Sequence, residues 1–263
     1  MRATARVGSI MTQLSPSNKI YIALILILAL LAAMQVFLPM GSLVEAFPQD
    51  QLPASKPVLA LANAAIMLIL YGGLGFLGLT LSKKLGYADL WDARISNKQR
   101  LLIPALVGTC LGVFIILADL FFGRFHSLGP VPHPPFPTSI VVSAAAGIGE
   151  ELLFRLFFIS FWVWLVCHVI LKKRWQNQIF WIVTMLSALA FGVVHIIPAP
   201  ILFGLKAVSE MPLALVGEFI LLNGIVSVLC AYYFRKFGFL AAVGIHFWTD
   251  VIWHVVWGLV SSR

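Results

Sequence analysis

Seven long apolar stretches, at 20–40, 57–81, 101–122, 139–171, 179–197, 213–234 and 237–260, constrain this chain more than any other feature of its sequence. A helix needs about 20 apolar residues to cross the hydrocarbon core of a bilayer, and every stretch is close to that length. The runs are continuous rather than alternating, which excludes the strands of a membrane β-barrel. The fourth is too long for one upright span, since about 33 residues at 1.5 Å each make a helix of roughly 50 Å. It is expected to tilt or bend, or to end in an in-plane segment that would raise the count to eight. The fold class read from this pattern is all-α, a polytopic transmembrane helical bundle of seven to eight spans. The first stretch follows Arg2 and Arg6. Its apolar run is about twice the core of a signal peptide and no cleavage site follows, so it reads as a retained span.

Composition removes the other classes. The chain is 61% hydrophobic and 11% charged, whereas soluble domains carry roughly 25% charged residues. That excludes a soluble domain, and the hydrophobicity excludes disorder. Cys110, Cys167 and Cys230 are odd in number and lie inside apolar runs, so neither a disulfide framework nor a zinc ribbon is expected. A net charge of +8 fits a nucleic-acid partner only if the charge forms a patch. Here it sits in short clusters between apolar runs, where membrane proteins keep their topological charges. With the N-terminus cytoplasmic, the inner segments hold Arg2, Arg6, Lys19, Lys83, Lys84, Arg94, Lys98, Arg100, Lys172, Lys173, Arg174, Arg235 and Lys236. The outer segments hold only Lys56, Arg124, Lys206 and Arg263. The reading is a multi-pass protein of the cell membrane with its N-terminus inside, the lipid bilayer as its surroundings and no nucleic acid.

No internal repeat and no soluble domain is visible. Pro130, Pro132, Pro134, Pro135 and Pro137 forbid regular structure before the fourth span, and Pro198, Pro200 and Pro212 bracket the connection between the fifth and sixth. The chain therefore divides into 1–137, with three spans and the proline-rich loop, and 138–263, which carries the residues of chemical interest.

Half of the ten acidic residues, Asp119, Glu150, Glu151, Glu218 and Asp250, fall inside these spans, as do His168, His195, His246 and His254. A charge at bilayer depth costs at least about 2.5–3.5 kcal/mol, so such groups are commonly paired, cavity-facing and functional. In Glu150-Glu151-Leu-Leu-Phe-Arg155, Glu151 and Arg155 are i,i+4 and can pair along one face. Glu150 points about 100° away and is left in different surroundings, which is how two carboxyl groups divide acid and base roles. The plainer reading is a buried Glu–Arg pair at a helix contact with Glu150 reaching for water. Phe191-Gly-Val-Val-His195 closes the fifth span, with Gly192 allowing close approach of a helix or substrate; a histidine at a helix end is more often structural. His246-Phe-Trp-Thr-Asp250 places an imidazole and a carboxyl at i,i+4, able to fix a tautomer or hold a metal, or simply to join two helices. His254 continues that face. Neither HExxH nor GxSxG occurs, so a helical zincin site and a serine elbow are both absent.

These three motifs, in this order and on separate apolar helices, resemble those of the CPBP intramembrane proteases, the CAAX-protease and bacteriocin-processing or Abi family: EExxxR, FxxxH and HxxxN/D. Here they read Glu150, Glu151 and Arg155; Phe191 and His195; His246 and Asp250. The resemblance covers 139–260 and implies an endopeptidase acting on a peptide or protein at the membrane, of CAAX type or in bacteriocin-related processing. It implies Glu150 as general base on a water, His195 as the residue that positions that water and moves a proton, and His246 with Asp250 at the oxyanion. Glu151, Arg155 and Phe191 would support them. The motifs leave open a divalent metal such as zinc on Glu150, His195 and His246, or a metal-free glutamate site. Asn is also common where this chain has Asp250, and an ionised Asp cannot donate to an oxyanion. Asp250 must therefore be protonated, orient His246 or join a metal. Glu218, near Asn223, is expected to bond between helices, and His254 to support Asp250. Two other classes compete with the peptidase: a proton-coupled transporter, which needs paired repeats with broken helices, and a non-catalytic immunity or scaffold protein.

Overall fold

The computed structural model describes residues 14–41 and 53–261. Seven helices among them are long and apolar enough to span a bilayer: α1 Pro16–Gln35, α2 Lys56–Lys84, α3 Lys98–Phe122, α4 Thr138–Ile170, α5 Gln176–Ile196, α6 Leu213–Phe237 and α7 Phe239–Ser261. The long fourth stretch is one uninterrupted helix, so the count among the described residues is seven. The protein is an all-α polytopic bundle. Arg2, Arg6 and Arg263, which entered the charge count, lie outside the described residues.

Helix ends follow local chemistry. α1 starts earlier than its apolar run because Ser15 caps it, its Oγ accepting from the Asn18 N–H at 3.3 Å, with Pro16 in the first turn. It stops at Gln35 rather than residue 40, since Leu38 precedes Pro39 and the proline ring disfavours helical backbone there. α6 and α7 are separated by Gly238 alone, at φ 88°. A Cβ there would lie 2.5 Å from the Asp89 carbonyl, so glycine is required both for the turn and for the contact beneath it.

That turn belongs to a polar end of the bundle. The Gln176 side chain donates to the Leu85 carbonyl at 2.8 Å and Arg235 to Asn177 at 2.8 Å. The Trp91 N–H donates to Ser17 at the start of α1 at 3.1 Å. Arg100 stacks on Trp91 at 3.9 Å. The connections α2–α3, α4–α5 and α6–α7 thus gather with the N-terminal end of α1. The opposite end is made by the proline-rich loop. Thr138 bonds the Pro39 carbonyl, the Val131 N–H donates to Asp119 at 3.1 Å, and His133 meets His254 of α7 at 3.2 Å.

Large apolar side chains face outward, among them Leu213 (87% exposed) and Ile69 (77%). Lipid tails can solvate such a surface, so the interior must instead be selected by close packing and polar contacts. Two glycine sites do this. Gly108 and Gly112, four apart on α3, let α7 approach until a Cβ at Gly108 would stand 2.4 Å from the Ile245 carbonyl and one at Gly112 2.8 Å from that of Thr249. Thr249 fastens this seam by donating to the Ile245 carbonyl at 2.8 Å and lying 3.2 Å from that of Gly108. Gly192 of α5 does the same against α6, where a Cβ would stand 2.8 Å from the Ile220 Cα. These contacts set the depth at which α5 and α7 present their histidines.

Candidate active site

Glu150 and Glu151 sit mid-way along α4, where its hydrogen bonding widens to the π form over Leu152–Ile159. Such widened turns recur at functional sites because they reset the face that a helix presents. Glu151 points inward and is fully buried with Arg155. Their Oε1 and Nη1 atoms are 3.0 Å apart, a close ionic contact rather than an aligned hydrogen bond. Glu150 points the other way, into a cavity, with its side chain 33% exposed. The 100° divergence expected of neighbours on a helix is what separates the two environments.

α5 contributes Phe191 and His195. The His195 Nδ1–H donates to the Phe191 carbonyl at 2.7 Å, which fixes the tautomer and leaves Nε2 free. That Nε2 lies 3.6 Å from Glu150 Oε2. The Phe191 ring, 1% exposed, is a hub. It has the Arg155 guanidinium 4.5 Å over its face, Phe154 edge-on at 5.0 Å, and the imidazoles of His195 and His246 at 4.6 and 5.8 Å. One aromatic side chain thereby joins all three motifs.

α7 contributes His246 and Asp250, and there too the helix becomes π immediately afterwards, over Val251–Trp257. His246 Nδ1 donates to Glu151 Oε1 at 2.8 Å. Its Nε2 is 3.8 Å from Glu150 Oε2 and 3.6 Å from Asp250 Oδ2. Glu151 therefore serves both Arg155 and His246, a link that local spacing could not reveal because the partners are 95 residues apart. Glu150 Oε2 itself is buried without a hydrogen-bond partner, although two imidazole nitrogens and a carboxyl group surround it just beyond bonding distance.

These groups line a cavity of about 290 Å³ bounded by α4, α5, α6, α7 and the loop residues Val131, Pro132, Pro134 and Pro198. Its walls are mostly apolar, and Glu150, His195, His246 and Asp250 converge on it. Glu150, His195 and His246 are the donors a metal would use. Among the described residues, however, no three His, Cys, Asp or Glu side chains are grouped to hold a metal ion. The three cysteines are free, Cys167 and Cys230 being buried.

Of the remaining ionisable groups, Glu218 reaches across to another helix as expected, though not to Asn223. Asn223 donates to the Phe219 carbonyl of its own helix at 2.8 Å, while Glu218 faces Asp119 of α3 and lines the cavity. His254 is taken up by His133, whose ring also packs edge-on against Trp253 at 4.6 Å. Burial pushes the His133 pKa down to about 4. His133 was not singled out by its sequence, and only its seat in a five-proline loop hinted at an ordered position. His168 lies near the far end of α4, away from the cavity.

Residues 132–252 match the family model described as Rce1-like, type II CAAX prenyl endopeptidase. That segment, rather less than half of the chain, is similar to that family. The matched segment runs from the proline-rich loop to just past Asp250 and contains all three motifs. Seven apolar helices and the likeness to a family of membrane endopeptidases support a multi-pass membrane protein and, in general, an intramembrane endopeptidase. No curated protein and no solved structure matched it.

Proposed function

We propose that the chain hydrolyses a peptide bond within the cavity by a water that Glu150 activates. The observation that carries this reading is the unpartnered Glu150 Oε2, faced at 3.6 and 3.8 Å by the Nε2 atoms of His195 and His246. Polar atoms held just beyond contact distance leave a place for a bridging water. Glu150 takes a proton from that water as its oxygen attacks the scissile carbonyl. His195, with Nδ1 anchored on Phe191, accepts a hydrogen bond from the water through its free Nε2 and aims it. The negative charge forming on the carbonyl oxygen meets the Nε2–H of doubly protonated His246, whose ring Glu151 holds in place. Asp250, beside the same nitrogen, orients His246; this is the role its acceptor-only carboxylate can fill. The proton held by Glu150 then passes to the departing amine as the C–N bond breaks, giving a carboxylate and an amine. No metal takes part in these steps, in keeping with the donor arrangement.

Positioned acid–base groups contribute about 10²–10⁴-fold and a single oxyanion donor about 10²–10³-fold. Glu150→Gln should therefore abolish measurable cleavage of a membrane-spanning peptide by reconstituted protein, with the products read by mass spectrometry. Its melting temperature should not change, because Glu150 makes no hydrogen bond in the fold. Undiminished cleavage by Glu150→Gln rejects the assignment. In this reading the protein resides in the cell membrane with its N-terminus cytoplasmic, an orientation that the placement of Lys and Arg supports.

A further inference from the structure

The bundle has two unlike ends, and the cavity belongs to one of them. Lys83, Arg94, Lys98, Lys173, Arg174 and Lys236 all fall at the end where the α2–α3, α4–α5 and α6–α7 connections meet, as the bonds from Gln176 to Leu85 and from Arg235 to Asn177 show. The other end carries only Arg124, Lys206 and Lys56 of the described basic residues. The cavity runs from Glu150 and His246 toward this second end. It is lined by the N-terminal half of α6, the C-terminal half of α5, Pro132 and Pro134 before α4, and Pro198 after α5. No residue of the three basic connections lines it.

Basic connections stay on the cytoplasmic side. We infer that the cavity opens on the non-cytoplasmic face, and that its substrate is an internal peptide segment presented there, not the prenylated C-terminus of a cytosolic protein. The substrate clause rests on the peptidase reading above. A second observation agrees with it. A C-terminal C-a-a-X tail keeps its free carboxylate within a few residues of the modified cysteine, and a carboxylate taken into a cavity needs a cation or donors beside it. Glu150, Glu218 and Asp250 line this cavity and no lysine or arginine does; Arg155 is fully buried and engaged with Glu151 and Phe191. With the imidazolium of His246 engaged at the oxyanion, the lining offers no further cation for a nearby carboxylate, which favours an internal segment.

The test has two arms on the full chain in membranes. Lys206→Cys and Lys98→Cys, both exposed positions, are treated with a membrane-impermeant maleimide on intact cells and again after lysis, with the unsubstituted chain as background. Lys206→Cys should label before lysis and Lys98→Cys only after it; the reverse pattern overturns the inference. In the second arm, single-span reporters carry one cleavable segment either just outside the outer face, or just inside the inner face with a free C-terminal carboxylate three residues beyond the scissile bond. The outer reporter should be cut at least tenfold faster, and neither should be cut by Glu150→Gln. Preferential cutting of the inner reporter overturns the inference. If the labelling is as expected and neither reporter is cut, the facing stands and the substrate clause falls together with the peptidase reading.

Discussion

Glu151 is fully buried, and its Oε1 lies 3.0 Å from Arg155 and 2.8 Å from His246. Removing one partner of a buried ion pair leaves the other uncompensated, at about 3–5 kcal/mol. Glu151→Ala should therefore lower the melting temperature of the protein in detergent far more than Glu150→Gln does, as a thermal scan of both variants would show. Equal melting of the two variants would mean that Arg155 finds another partner. The ionisable residues of the three motifs were legible in the sequence because each stands out against an apolar background where charge is costly. Phe191 was legible only as a motif letter, since nothing local says that a ring can touch an arginine and two histidines from other helices. The Glu151–His246 bond was illegible for the same reason: it depends on how α4 and α7 cross.

That crossing is set at the scale of the helix. Gly108 and Gly112 bring α3 against α7 so closely that a methyl group at Gly108 would meet backbone, not a movable side chain. Gly108→Ala should destabilise by about 1–3 kcal/mol, the cost of overpacking, and slow cleavage by displacing His246. Gly217 of α6, where a Cβ would meet nothing within 4 Å, is the control. Gly217→Ala should be neutral or slightly stabilising, because alanine is the better helix former. Paired melting curves and cleavage rates check both. The proline-rich loop gives a prediction of its own. Unburied histidine titrates near pH 6.5, whereas burial holds His133 at about 4. An opened loop thus takes up a proton before the closed one does. The closed loop keeps its full stability above about pH 6.5, loses it as pH falls toward 4, and loses no more below that. Amide exchange around residue 131, corrected for its intrinsic rate, should quicken over this window and not in His133→Phe. The spans were readable from hydropathy, but the early end of α1 and the pairing of α3 with α7 were not, since hydropathy reports burial in lipid and not which helix lies alongside.

For the molecule as a whole, the account joins a lipid-solvated bundle, a basic end and a cavity that opens toward the other end. Because no three His, Cys, Asp or Glu side chains among the described residues are grouped to hold a metal ion, dialysis against a chelator should leave the rate of peptide cleavage unchanged; metal analysis of the dialysed protein checks that it is free of zinc. Sequence alone reached the seven spans of the described residues and the ionisable motif residues that converge on the cavity, because scarcity of charge makes both conspicuous. It could not reach the direction in which the site opens, which depends on where loops far apart in the chain come to rest.

The most direct test of the central claim is a single-turnover cleavage in ¹⁸O-labelled water, with the intact masses of protein and products followed together. If Glu150 activates a water, the new carboxylate carries one ¹⁸O from the first turnover, the protein mass never increases by a bound fragment, and Glu150→Gln forms no product. A covalent fragment on the chain, or labelled product from Glu150→Gln at the parent rate, would contradict it.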